Sequence, residues 1–139
     1  MDTINSSLKK TPVAIIGLSA MFADASNVQE YWNNIINQKD SIVDVPESRW
    51  KIEDYYDADP TIADKTYCKK GGFIPDIDFN PMEFGLPPNI LEVTDVSQLL
   101  SLIGARDAFE DAGYGRESGK FTALLKEKTG VILGFGGGQ

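Results

Sequence analysis

An α/β layered fold is the class this sequence predicts, and three observations predict it. Two short apolar runs rich in β-branched residues, Pro12-Val13-Ala14-Ile15-Ile16-Gly17-Leu18 and Gly130-Val131-Ile132-Leu133-Gly134-Phe135, read as strands buried on both faces of a parallel or mixed sheet. Two amphipathic patterns between them read as helices, each opened by a capping-box spacing. The chain has 139 residues, 42% hydrophobic and 24% charged, which is the size and composition of a globular domain able to bury a core.

The elements follow in chain order. Residues 1–11 form a polar leader without the apolar stretch of a signal peptide. No apolar run approaches the roughly 20 residues that span a bilayer, so no membrane span and a cytoplasmic location are expected. After the first strand, Asn27 and Glu30 have capping-box spacing, and Val28, Tyr31, Trp32, Ile35 and Ile36 recur with helical period. Their aromatic members are expected in the core rather than stacked on a ligand. From Asp40 to about Glu92 periodicity fades, because prolines at 46, 60, 75, 81, 87 and 88 and the Gly71-Gly72 pair interrupt every run. So long an irregular stretch is unusual in a compact domain and is expected to wrap something larger. A second helix opens at Asp95, with Gln98 three residues on, and stops at Gly113. Its apolar residues, among them Leu99, Leu100, Ile103, Ala108 and Phe109, cover more than one stripe, which predicts burial on two sides. A short helix is expected around Phe121 to Leu125 before the last strand. Two strands alone make a sheet that is mostly edge, so the elements read as an incomplete layer of a larger domain.

Composition removes several chemistries. With 13 Lys+Arg against 21 Asp+Glu the formal net charge is -8, which argues against a nucleic-acid partner. There is no histidine, hence no imidazole base, no Ser-His or Cys-His pair and no His-liganded metal in this segment. The single cysteine, Cys68, forms no internal disulfide and suits a reducing compartment. Lys69 and Lys70 beside it would favour a thiolate, but no acid–base partner accompanies it, and a catalytic role is rejected. The turn after Gly17 reads Leu18-Ser19-Ala20-Met21-Phe22 and lacks the later glycines of a dinucleotide fingerprint. The terminal Gly134 to Gly138 stretch lacks both a following Lys-Ser/Thr and a helix, and reads as a tight turn rather than a phosphate cradle. Eight acidic residues between Asp40 and Asp64 face only Arg49 and Lys51, a local balance of -6. Without the spacing of a calcium loop they read as a solvated face. No catalytic, cofactor-binding or metal residue is therefore assigned within the segment.

The order of several motifs carries a resemblance. Pro12-Val13-Ala14-Ile15-Ile16-Gly17, Tyr31-Trp32, Pro46-Glu47-Ser48-Arg49-Trp50 and Tyr55-Tyr56-Asp57-Ala58-Asp59-Pro60 resemble the opening of β-ketoacyl synthase domains of polyketide and fatty acid synthases. Gly71-Gly72-Phe73 with Asp76-Ile77-Asp78-Phe79-Asn80-Pro81, then Phe109-Glu110-Asp111-Ala112-Gly113 and Thr129-Gly130-Val131-Ile132-Leu133-Gly134, continue it in order, so that it covers residues 12–139. Where most such domains carry Met-Asp-Pro-Gln, this chain has Val93-Thr94-Asp95-Val96-Ser97-Gln98. That departure, with Asn80 to Asn89 and Ser97 to Leu102, is most similar to the synthase opening the large multidomain subunit of bacterial polyunsaturated fatty acid synthases.

The resemblance implies an incomplete thiolase-like layered fold, the N-terminal portion of its first half, within an acyltransferase that is dimeric through its complete domain. It implies a decarboxylative Claisen condensation between malonyl on an acyl carrier protein and an acyl chain held on an active-site cysteine, assisted by two histidines. Those three residues belong downstream, and Cys68 does not match the cysteine. Residues 12–139 are thus expected to be truncated before the catalytic residues and inactive alone. The partners implied are acyl carrier protein domains bearing phosphopantetheine, with no cofactor in this segment. Acyl carrier proteins are generally acidic, so the -6 stretch is a poor dock for one. The rival expectation is a self-contained, non-catalytic α/β module that binds a partner.

Overall fold

The computed structural model describes residues 12–120, 122–134 and 136. In chain order they form α1 (Val28–Ile36), β1 (Ile42–Asp44), α2 (Ile52–Tyr55), β2 (Lys70–Gly72), α3 (Val96–Asp111) and α4 (Ala123–Glu127). Turns of 3-10 helix lie at Pro81–Phe84, Pro88–Val93 and Arg116–Ser118. The chain divides into two units, Ser19–Gly104 and Met1–Leu18 with Ala105–Gln139. The leader 1–11, Phe121, Phe135 and residues 137–139 lie outside the described residues, and so do the expectations that fall on them.

In the first unit, α1 begins where its capping residues place it. The Asn27 side-chain oxygen accepts the Glu30 N–H at 2.9 Å, and the Glu30 carboxylate accepts the Ser26 N–H at 2.8 Å. The box thus closes one residue further out than the Asn27–Glu30 spacing alone indicates. Asn27→Ala, which leaves an N-terminal amide without its acceptor, is expected to cost about 1 kcal/mol. A denaturation midpoint that does not fall would refute the cap. Phe22 and Tyr31 stack with centroids 3.8 Å apart. Tyr31, Trp32, Ile35 and Ile36 are exposed, however, which corrects the expectation that the stripe and its aromatic members are core. The helical period specifies a face; Phe22 packs on its Tyr31, while Trp32, Ile35 and Ile36 stay largely open.

The sheet differs from the expected one. Among the described residues the ladder is a two-stranded antiparallel pair, with Ile42 opposite Gly72, Val43 opposite Gly71 and Asp44 opposite Lys70. It lies inside the proline-broken stretch where no strand was read. The Val45 N–H extends it by donating to the Lys69 carbonyl at 2.8 Å, and Val45 is buried. Gly72 is needed for close approach, since a Cβ there would lie 2.8 Å from the Ala23 methyl. The adjacent Asp24 N–H donates to the Phe73 carbonyl at 3.0 Å. This gives the Gly71-Gly72-Phe73 motif a packing role.

Among the described residues, the two runs expected to be buried strands join no ladder. Ile15 is 89% and Ile132 97% exposed, and their apolar neighbours Val13, Ile16, Leu18, Val131 and Leu133 are exposed too. Such runs meet the requirements of a doubly covered strand, but no neighbouring strand for either is found among the described residues.

Local signals fix both ends of α3. The Asp95 carboxylate accepts the Ser97 N–H at 2.8 Å and also the Ser97 hydroxyl, while the Gln98 N–H reaches the Asp95 carbonyl at 3.0 Å. The cap therefore acts one residue earlier than the Asp95–Gln98 spacing suggested. At the far end Gly113 takes φ +74°, the Gly113 N–H donates to the Glu110 carbonyl at 2.9 Å, and the Tyr114 N–H donates to the Phe109 carbonyl at 2.8 Å. That pair of bonds is a Schellman motif, which a glycine in left-handed conformation permits. Ile103 is buried in α3, whereas Val96, Leu102 and Phe109 are exposed, so the described residues do not supply the two-sided cover its apolar width predicts. The expected short helix near Phe121 to Leu125 is α4, shifted two residues onward and capped by the Thr122 hydroxyl, which accepts the Leu125 N–H at 3.4 Å.

Candidate functional site

The turn after Gly17 is occupied by protein rather than open to a ligand. A Cβ on Gly17 would lie 2.3 Å from the Ala108 carbonyl oxygen and 2.8 Å from the Ala112 methyl. Glycine is therefore required for the chain to touch α3, which is a packing role. The next amide, Leu18 N–H, donates to the Asp111 carboxylate at 2.9 Å. A phosphate cradle needs free amides and no competing negative charge. Here the Leu18 amide is taken by the Asp111 carboxylate. Ala14, Ile16, Gly17, Phe109, Ala112 and Leu125 line an apolar groove in the same unit.

Cys68 lies in the exposed loop before β2. Its Sγ–H donates to the Lys70 carbonyl at 3.3 Å, and its N–H donates to the Thr66 hydroxyl oxygen at 3.2 Å. The neighbouring Lys69 ammonium pairs with Asp44 at 3.3 Å and lies 5.5 Å from the centre of the Tyr56 ring. The surroundings thus tie up the loop and offer the thiol a carbonyl rather than a base.

The acidic stretch does not converge on a point. Asp57 accepts the Asp59 N–H at 2.9 Å, and Asp59 accepts both the Thr61 N–H at 2.9 Å and its hydroxyl at 2.7 Å. These carboxylates cap their own turns. Among the described residues no group of three His, Cys, Asp or Glu side chains is placed to hold a metal ion.

The Thr61 hydroxyl, and then its N–H, hold the Asp59 carboxyl below the usual carboxylate value, and Ser97 does the same for Asp95. A carboxyl lowered in the folded state contributes stability fully above its unfolded value of about 3.9 and loses it as the pH falls through the lowered folded value. Thr61→Val is expected to raise the Asp59 pKa in an NMR titration, and an unmoved titration would exclude the hydroxyl as cause.

A second cleft is lined by Trp50, Tyr55, Asp64, Lys65 and Thr66. The two rings meet edge to face at 5.8 Å, and the Lys65 ammonium donates to the Asp54 carbonyl at 2.5 Å. Sequence reading did not pair Trp50 with Tyr55. The spacing of five residues crosses from a turn into α2 and follows neither a helical nor a strand period.

A family model described as the N-terminal domain of β-ketoacyl synthases matches residues 10–139. The chain belongs to the β-ketoacyl synthase family. A polyunsaturated fatty acid synthase protein of Thraustochytrium sp. is 42% identical over 131 residues, covering 93% of this chain and 4% of that protein. Polyketide synthase PksL of Bacillus subtilis is 39% identical over 123 residues, covering 88% of this chain and 3% of that protein. Among solved structures, the ketosynthase from module 6 of the bacillaene synthase of Bacillus subtilis 168 matches with a TM-score of 0.63 at 39% identity, over 76% of this chain and 17% of that one.

The fold is accordingly thiolase-like, and this chain forms a partial α/β portion of it. It spans a few per cent of the curated relatives' length and about a sixth of the solved ketosynthase. Among the described residues no helix is long and apolar enough to cross a membrane.

Proposed function

We propose that this chain is the scaffolding N-terminal portion of a β-ketoacyl-[acyl carrier protein] synthase of fatty acid or polyketide biosynthesis, working in the cytoplasm as part of a multidomain protein. The match over residues 10–139 carries this reading. The reaction is a decarboxylative Claisen condensation. Malonyl on the phosphopantetheine arm of an acyl carrier protein loses carbon dioxide, and its carbanion attacks the acyl thioester on a cysteine. The new carbon–carbon bond forms as the carbon–sulfur bond breaks and the thiolate leaves, while imidazoles stabilise the enolate charge. This segment supplies none of the three reacting side chains. It contributes the apolar runs at 13–18 and 131–134 to the sheet, with α3 packed on it, and the complete domain is a dimer. The exposure of those runs supports a segment designed to be covered over a module sufficient in itself.

The test is acylation. Residues 12–139 are exchanged into the bacillaene module 6 ketosynthase, and the product is incubated with a radiolabelled acyl thioester. Label is expected on the recipient's own active-site cysteine and to persist in a Cys68→Ala version. The isolated 139-residue chain is expected to take up none. Label on Cys68 in either protein would overturn the proposal.

A further inference from the structure

We draw no further inference here: the strongest candidate, the open cleft beside α2 lined by Trp50, Tyr55, Asp64, Lys65 and Thr66, carries nothing because its carboxylate and ammonium offset one another and nothing in the structure shows what covers its two aromatic rings.

Discussion

Gly17→Val is expected to destabilise the protein by about 3 kcal/mol, the upper end of what overpacking costs. The added Cβ would meet the Ala108 carbonyl oxygen at 2.3 Å and the Ala112 methyl at 2.8 Å. The nearest clash is with helix backbone, which cannot rotate aside as a long side chain can. Relief requires the 12–18 segment to lift from α3, and that breaks the bond from the Leu18 N–H to the Asp111 carboxylate. Hydrogen exchange at the Leu18 amide should therefore accelerate as the denaturation midpoint falls. Asp111→Ala separates the two effects. It removes the acceptor without the clash, and at this exposed position it is expected to cost only about 1 kcal/mol. An undiminished midpoint in Gly17→Val would mean that the segment does not rest on the helix.

How far the fold is legible in the sequence depends on how local each determinant is. The start of α1 and both ends of α3 are set by residues within a turn of them: Asn27 and Glu30, Asp95 and Ser97, Gly113 and Tyr114. They can be read to within a residue. The β1–β2 pair is not legible, because one of its three-residue strands is Lys70-Gly71-Gly72, and glycine carries no pattern. Its pairing is decided by backbone bonds across about thirty residues. Burial is the least local property. The stripe on α1, the width of α3 and the runs at 13–18 and 131–134 all announce apolar cover, and a pattern cannot name what provides it.

The chemistry followed the same division. Without histidine the sequence offers Cys68 no imidazole partner, and in the structure its Sγ–H turns to the Lys70 carbonyl. The failed dinucleotide fingerprint was legible from missing glycines, whereas its physical counterpart was not. The carboxylate that fills the turn comes from Asp111, 93 residues away from Leu18.

Ile16→Asp is expected to have opposite consequences in two hosts, and the contrast decides between a scaffold segment and an independent module. In the 139-residue chain Ile16 is 65% exposed, so an aspartate there keeps its water and little stability is lost. On the proposed function, the same position in the complete synthase domain belongs to a strand covered on both faces. An unpaired carboxylate there costs several kcal/mol of desolvation, a large share of a domain's net stability. The complete domain should fail to fold, seen as loss of its cooperative melting transition, while Ile16→Val leaves that transition nearly in place. An unchanged melting temperature for Ile16→Asp in the complete domain would remove this segment from the sheet. A cooperative melt of the 139-residue chain that Ile16→Asp abolishes would instead favour the self-contained module, because the residue would then be buried without any contribution from elsewhere.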